Sequence, residues 1–225
     1  LDFGFTGPEK TFWLGLLTLA GLVIAMIVQP IAGAISDRSG FRWGRRRPYI
    51  LIGTILTMLF LPGLGFSGSY LPLFITYCLL QVSSNIAQGP YQGFIPDLVP
   101  KGKRGLGSGV KTLLEFAGGI ALAWLVFYFM ERYVTEQGDF WLWLLLAMLA
   151  TVLLGVMVTT IVMVKERPGG GSQLPLLPTL YKSFKIDVKA SPDFIRFLIS
   201  RLLVLTAWVT LQRYALFFLM DVIGI

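Results

Sequence analysis

Four amide side chains recur at a spacing that places them on one face of a helix. Gln81, Asn85, Gln88 and Gln92 are separated by four, three and four residues. Residues at this spacing lie one above another on a helix surface. An amide both donates and accepts hydrogen bonds, so the four together suit a ligand rich in hydroxyl groups. Hydrogen bonding between neighbouring helices is the alternative, and the spacing alone leaves both interpretations open.

A glycine and a proline fall within this amide stretch, at Gly89 and Pro90. Proline has no backbone N–H, so it removes one hydrogen bond from a helix that passes through it. We therefore expect a local break at Gly89–Pro90, which would expose backbone carbonyl oxygens beside the amides.

A second group of candidate residues is charged. The stretch from Ile35 to Ile50 lies between two apolar segments and contains one aspartate and five arginines: Asp37, Arg38, Arg42, Arg45, Arg46 and Arg47. A further acid, Asp97, follows the amide stretch. An acid near a helix end and a neighbouring cation stabilise each other by about 1–2 kcal/mol when partly buried. That energy biases an equilibrium between two conformations without locking it.

A third group lies near the end of the chain, where Trp208 and Gln212 follow Arg201 on the same helical face. An arginine about 12 Å along an apolar helix is costly unless it faces water, a ligand or a partner. An aromatic face with polar groups beside it suits a small polar ring, so these three residues are binding candidates. We interpret Arg213 as an interfacial anchor, with Asp221 as its potential partner.

Glu115 is the one carboxylate within the apolar segments defined below, and it follows Lys111 by one helical turn. A local ion pair is the default interpretation of that spacing. Binding of a proton or cation is the functional alternative.

The residues that metal and redox chemistry require are scarce. The sequence has no histidine and a single cysteine, Cys78, and no acidic cluster has the spacing of metal ligands. We expect no metal site, no cofactor and no internal disulfide.

The elements that position these groups are predicted to be membrane helices. Of the 225 residues, 55% are hydrophobic and 14% charged, which is typical of a polytopic membrane protein. A helix needs about 20 apolar residues to cross a hydrocarbon layer of about 30 Å. Six runs meet that need, at about 12–32, 49–66, 70–95, 107–130, 140–164 and 194–220. The predicted fold class is an all-α membrane protein with six transmembrane helices.

The distribution of basic residues predicts which connections are cytoplasmic. Lysine and arginine concentrate in alternate connections, at 33–48, 97–111 and 165–193, and basic loops remain in the cytoplasm. Both ends of the chain are then external. The first residue is Leu, so we expect a longer polypeptide with at least one further helix in front. Because the net charge of +7 is divided among these loops, nucleic acid is not an expected partner.

The longest connection divides the chain. It begins "KERPGGGSQLPLLP" and continues "TLYKSFKIDVK", a flexible composition followed by the pattern of a short amphipathic helix. We expect residues 1–164 to form an incomplete bundle of five helices. Residues 165–191 are then a cytoplasmic linker, and 192–225 hold the first helix of a second bundle.

Two stretches resemble a known family. Gly33 to Arg38 read G-x-x-S-D-R, and Gly44 to Pro48 read GRRRP. This pattern resembles the signature loop of the major facilitator superfamily. The preceding "VQP" and the stretch "NIAQGPYQGFIPDL" at 85–98 are similar to its sucrose and glycoside cation symporter branch, which is glycoside-pentoside-hexuronide-like. The resemblance covers the whole chain and implies a partial fold of that superfamily, from the second to the seventh helix.

The resemblance implies a function and roles for these residues. Such proteins are secondary active transporters, and this one would move a sugar or glycoside by alternating access, coupled to a proton or another cation. Asp37, Arg38, Arg45 or Arg46, and Asp97 would form a charge cluster that stabilises the outward-facing state. The four amides, with Arg201, Trp208 and Gln212, would line the central cavity. A monomer in a cell membrane, such as the bacterial inner membrane, is expected.

The resemblance to these carriers is incomplete. The sucrose carriers have an arginine at the position of Gln92, and melibiose carriers have aspartates at those of Gln29 and Gln88. A membrane enzyme would need an acid pair or histidines at a membrane face, and a phosphate-binding loop ending in Gly-Lys-Ser/Thr is absent. Drug efflux conflicts with the polarity of the amides. A non-transporting scaffold or sensor on the same fold stays open.

Overall fold

The regular structure of the described residues is helical. The computed structural model describes residues 7–136, 139–164, 166 and 192–218. The helices are α1 (Gly7–Arg38), α2 (Arg47–Phe60), α3 (Tyr70–Gln92), α4 (Phe94–Leu98), α5 (Arg104–Glu136), α6 (Asp139–Met163) and α7 (Pro192–Phe218). A short 3₁₀ turn at Leu61–Leu64 extends α2, and another at Lys101–Lys103 precedes α5. The predicted all-α fold class is confirmed.

In the described part of the chain, five helical stretches are long and apolar enough to cross a membrane. They are Phe12–Arg38, Arg47–Leu64, Tyr70–Leu98, Lys101–Glu136 and Asp139–Met163. The sixth predicted segment corresponds to α7, which has 27 residues. Two helices exceed their predicted lengths, since α1 has 32 residues and α5 has 33. Their polar terminal residues continue the helix, whereas hydropathy marks only the apolar middle.

The chain separates into two compact units, Leu1–Leu180 and Tyr181–Ile225. Helices α1 to α6 belong to the first unit, and α7 belongs to the second. Apart from Glu166, the predicted linker at 165–191 lies outside the described residues, and so does its amphipathic helix. The predicted domain boundaries therefore stay a prediction.

Helix α3 is the centre of the first unit, with α1 packed on one side and α2 on another. Glycines lie at both crossings. Gly89 of α3 lies against the carbonyl of Gln29, and a β-carbon on Gly53 of α2 would lie 2.5 Å from the backbone nitrogen of Ala87. Lipid supplies no hydrophobic force between helices, so close backbone approach at small residues holds them together.

Helix α5 contacts the rest of the unit at its two ends. One end packs against α4 and the other against α6, whereas residues 112–124 are exposed throughout. At the α6 end, Arg132 lies 5.5 Å from the ring centroids of both Tyr128 and Trp141. It also pairs with Glu136 at 2.9 Å. These cation–π contacts and the ion pair stabilise the α5–α6 hairpin.

The expected break at Gly89–Pro90 is wrong. Helix α3 continues through Pro90 to Gln92, and the turn comes at Gly93. Pro90 is buried, and its carbonyl accepts a hydrogen bond from the Arg46 side chain at 2.8 Å. Tertiary contacts with α1 and with Arg46 stabilise the helix at the position where local propensity favours a break.

Candidate functional site

Arg46 is the centre of an ion cluster where α1 ends and α2 begins, which we call the basic end of the unit. Although charged, Arg46 is only 5% exposed. Its Nη2 lies 2.6 Å from Asp37 Oδ1 and 2.9 Å from Asp97 Oδ2, and its Nη1 donates to the carbonyl of Pro90. A planar guanidinium has donors on several sides, so one side chain joins α1, α3 and α4.

Gly93 and Arg45 complete this cluster. A β-carbon at Gly93 would overlap the Arg46 guanidinium, so the absence of a side chain there makes room for the arginine. Arg45 donates to Asp97 Oδ2. Its hydrogen bond to Asp97 raises the pKa of Arg45 above its usual value, against a smaller opposing effect of burial. Arg45 therefore stays charged at physiological pH.

Glu166, which sequence reasoning missed, binds the first turn of α2. Its Oε2 accepts hydrogen bonds from the backbone N–H groups of Arg46, at 3.0 Å, and of Arg47, at 3.4 Å. The residue before α2 provides no side-chain cap. A carboxylate at this position satisfies N–H groups that lack helical partners and complements the positive end of the helix dipole. One signal for this role was available in the sequence: Glu166 is the acid nearest the end of the fifth apolar segment.

The backbone conformation also explains the glycine of "GRRRP". Gly44 has φ of 114°, a left-handed conformation that favours glycine. A β-carbon there would also overlap the Glu166 carboxylate. The signature loop therefore depends on a residue 122 positions further along the chain.

The structure brings together four of the five predicted gating residues. Asp37, Arg45, Arg46 and Asp97 form the Arg46 cluster. Between the two candidate arginines, Arg46 makes the central contacts and Arg45 an additional one. Arg38 is the last residue of α1. Their role in gating stays a prediction.

The four amides have different surroundings although they share a face of α3. Asn85 is 3% exposed, and its Nδ2 donates to the backbone carbonyl of Gln81 at 2.7 Å. Gln81 Nε2 donates to the hydroxyl of Tyr77 at 2.8 Å. The side chains of Gln81 and Tyr77 lie against Gly21 of α1. These two amides therefore form hydrogen bonds within α3, beside α1.

Gln92 and Glu115 meet at Lys111. The Lys111 ammonium donates to Gln92 Oε1 at 2.6 Å and lies 3.1 Å from Glu115 Oε1. This arrangement joins the end of α3 to α5. The local ion pair expected for Glu115 is present.

Gln88 lines a cavity of about 340 Å³ between α2, α3 and α6, within the range of small-molecule sites. Its walls combine apolar side chains with an amide and several hydroxyl groups. The lining residues are Ile50, Thr54, Thr57, Ser84, Ala87, Gln88, Tyr91, Leu153, Val156, Met157 and Thr160. The cavity adjoins the Arg46 cluster, because Ile50 donates its N–H to the carbonyl of Arg46 and Tyr91 follows Pro90.

The candidates on α7 belong to the second unit. Arg201 is exposed on α7. The side chains of Trp208 and Gln212 lie outside the described residues, as do Asp221 and the side chain of Arg213. Within α7, Arg196 pairs with Asp193 at 3.2 Å.

Metal-ligating residues do not cluster in the part of the chain that the structure describes. No group of three His, Cys, Asp or Glu side chains occurs there. The acids of the Arg46 cluster are neutralised by arginines, which disfavours a cation at that position.

Comparison with protein families gives a match that covers nearly the whole chain. A family model described as MFS/sugar transport protein matches residues 10–224. The chain belongs to this family. It is therefore a multi-pass member of the MFS/sugar transport proteins. The resemblance of the signature loop and of residues 85–98 to that superfamily is confirmed.

Similar individual proteins are plant sucrose transport proteins. The sucrose transport protein SUT1 of Oryza sativa subsp. japonica is 37% identical over 112 residues, which cover 40% of this chain and 20% of that protein. The sucrose transport protein SUC3 of Arabidopsis thaliana is 28% identical over 124 residues, 45% of this chain and 21% of that protein. The match thus spans about a fifth of the length of these relatives. No solved structure matches the MFS chain.

Proposed function

We propose that this protein is a secondary active transporter that carries a sugar or glycoside across the membrane by alternating access. Three facts support the proposal: the family is one of sugar transport proteins, similar proteins are sucrose transport proteins, and the first unit contains a cavity of small-molecule size. No chemical bond of the solute changes in such a cycle, so the residues contribute binding and conformational bias.

The Arg46 cluster is the observation that carries the proposal. A buried guanidinium shared by two carboxylates costs little while all three groups are together. Separation of one partner leaves a charge in a poorly hydrated place, which costs several kcal/mol for buried pairs and less here because both acids are partly exposed. The cluster therefore favours one conformation of the basic end and makes its opening a discrete event.

The cavity lies where such an opening would matter. Because Arg46 contacts the carbonyl of Pro90 and Tyr91 lines the cavity, a movement of the cluster changes the wall of the cavity directly. A solute that binds differently in the two conformations shifts their populations. We assign the basic end to the cytoplasm, in agreement with the positive-inside rule.

Solute recognition is assigned to polar groups beside this cavity. Gln88 provides an amide, and Ser84 and Thr160 provide hydroxyl groups, among walls that are otherwise largely apolar. Gln92, one helical turn beyond Gln88 on α3, is assigned to the same solute path. Gln81 and Asn85 are assigned a supporting role, since their side chains form hydrogen bonds within α3 beside α1. Arg201, Trp208 and Gln212 are assigned to the second bundle's side of the solute path, and Glu115 to binding of the coupling cation.

Uptake into vesicles tests the proposal. The protein, expressed from its complete reading frame and reconstituted in liposomes, should take up at least one radiolabelled sugar or glycoside faster than empty liposomes. An imposed proton or sodium gradient should increase that uptake. Absence of uptake across a panel of mono- and disaccharides and glycosides, from protein that is folded and inserted, would favour a scaffold or sensor instead.

A further inference from the structure

The connection between α1 and α2 contains a tight turn that presents a basic side chain between two aromatic ones. The N–H of Gly44 donates to the carbonyl of Phe41 at 3.2 Å, which places Arg42 and Trp43 at the two central positions of the turn. Arg42 is exposed, and Phe41 and Trp43 are 54% and 55% exposed. We call residues 41–44 the aromatic turn.

The aromatic turn is held against the start of α2. The ring of Phe41 meets the ring of Tyr49 edge to face, with the centroids 6.4 Å apart. Arg47 Nη1 donates to the carbonyl of Trp43 at 3.5 Å. The guanidinium of Arg47 therefore lies beside the turn that carries Arg42, and the two basic side chains belong to one surface.

This surface carries positive charge that the protein does not neutralise. In the described part of the chain, neither Arg42 nor Arg47 forms an ion pair, and the acids nearby are bound to the Arg46 cluster or to the first turn of α2. The Nε of Arg47 is also buried there without an acceptor. A buried donor without an acceptor is costly, so an anionic oxygen at this position is bound favourably.

The position of the turn decides which kind of anion fits. Helix α2 is of membrane-spanning length from Arg47 onward, and its apolar run begins within the first turn, at Tyr49 and Ile50. The aromatic turn therefore lies at the membrane surface. Beside a soluble anion, the rings of Phe41 and Trp43 would face water, whereas aromatic rings are stable at the level of lipid headgroups.

We propose that Arg42 and Arg47 bind the phosphate of an anionic phospholipid, with Phe41 and Trp43 inserted among the neighbouring headgroups. The cytoplasmic leaflet, to which we assign the basic end, is the one that carries anionic lipids. Arg46 follows the aromatic turn closely in the chain, so a bound lipid stabilises the arrangement of the connection in which the Arg46 cluster forms. The proposal is independent of the solute that the protein carries.

Lipid binding to the purified, complete protein tests the proposal. Native mass spectrometry in detergent measures the Kd for dioctanoyl phosphatidylglycerol, with dioctanoyl phosphatidylcholine as the zwitterionic comparison. Wild type should bind phosphatidylglycerol more tightly. Arg42→Gln and Arg47→Gln should each weaken that binding about fivefold, as expected for the loss of one basic group at a membrane surface. Equal affinity of the wild type for the two lipids would overturn the proposal.

Lys103→Gln is the matched control, because it removes the same charge from an exposed residue at the same end of the unit. It should keep the wild-type affinity for phosphatidylglycerol. A loss equal to that of Arg42→Gln would show that net charge alone attracts the lipid, and the assignment of a site would then be wrong. Arg47→Lys keeps the charge but lacks the Nε donor, so its affinity should lie between those of wild type and Arg47→Gln. Wild-type affinity in Arg47→Lys would contradict the contact with Nε.

Two further measurements separate a lipid from a free anion. Excess inorganic phosphate should not displace phosphatidylglycerol from the wild type, and Trp43→Ser should weaken lipid binding. Displacement by phosphate would assign the surface to a soluble anion, and wild-type affinity in Trp43→Ser would contradict insertion of the ring. Thermal unfolding in phosphatidylcholine nanodiscs identifies any variant that fails to fold. Arg42→Gln keeps the proposal falsifiable in that case, because the exposed Arg42 side chain forms no hydrogen bond or ion pair in the described part of the chain.

Discussion

Arg46 shows how single residues set the properties of this site. Two carboxylates and a carbonyl bind its two Nη atoms although the side chain is nearly buried. Lysine would supply the same charge without the planar arrangement of donors that reaches three partners. The two acids contribute unequally, because Asp97 binds both Arg45 and Arg46 whereas Asp37 binds Arg46.

That inequality predicts an order of stabilities. Asp97→Asn should lower the free energy of unfolding by about 1–3 kcal/mol, and Asp37→Asn by less, since Asp97 neutralises two arginines. Asp193→Asn is the control, because its pair with Arg196 is almost fully exposed and such pairs contribute about 0–1 kcal/mol. Thermal unfolding in detergent measures the order. Equal losses for Asp37 and Asp97 would show that the second arginine contact contributes nothing.

At the scale of elements, the first turn of α2 is hydrogen-bonded to Glu166, which lies shortly after the end of α6. Glu166 is three residues beyond the end of α6, and its carboxylate accepts from the first N–H groups of α2. The end of α6 and the start of α2 are thereby coupled. A displacement of either one exposes N–H groups that have no partner within the helix.

Removal of that carboxylate should destabilise the basic end. Glu166→Ala leaves two N–H groups without their acceptor and should lower stability by about 0.5–2 kcal/mol, and Glu166→Gln by less, because the amide oxygen still accepts. Glu131→Gln, an exposed acid on α5, serves as the control. Hydrogen exchange at residues 46–50 reports the local effect. Exchange there that is unchanged in Glu166→Ala would refute the capping role.

Gly89 is a small residue at which the backbones of α1 and α3 approach closely. A β-carbon at Gly89 would overlap the carbonyl of Gln29, which belongs to rigid helix backbone. Gly89→Ala should therefore separate the helices and cost about 1–3 kcal/mol, as overpacking does. Gly15→Ala should be neutral or stabilising by up to about 1 kcal/mol, because an added β-carbon there would meet no neighbouring side chain or helix within 4 Å. Melting temperatures of the two variants in lipid nanodiscs compare them, and a tolerant Gly89 would contradict the close crossing.

On the scale of the whole molecule, the charge distribution predicts an orientation in the membrane. Arg42 lies in the exposed connection between α1 and α2, and Gly68 lies in the connection between α2 and α3. These connections are at opposite ends of α2, so they must face opposite sides of the membrane. The positive-inside rule assigns the Arg42 side to the cytoplasm.

Cysteine labelling measures this orientation. In a Cys78→Ser background, Arg42→Cys should react with a membrane-impermeant maleimide only after the cells are permeabilised, and Gly68→Cys should react in intact cells. The reverse pattern would invert the proposed topology and place the Arg46 cluster at the outer face.

Hydropathy and basic loops in the sequence by themselves determined the helical class and the membrane segments, and two short motifs indicated the family and, through it, a cluster of Asp37, Asp97 and either Arg45 or Arg46. These features are local or follow a fixed period, because the bilayer requires long apolar helices. Only the tertiary structure decided that Glu166 binds α2, that Pro90 continues its helix, and that the four amides of one stripe have three different surroundings. Each of those outcomes depends on which helix lies beside a residue at a given depth, and a helical period determines the face of a residue but not its neighbour.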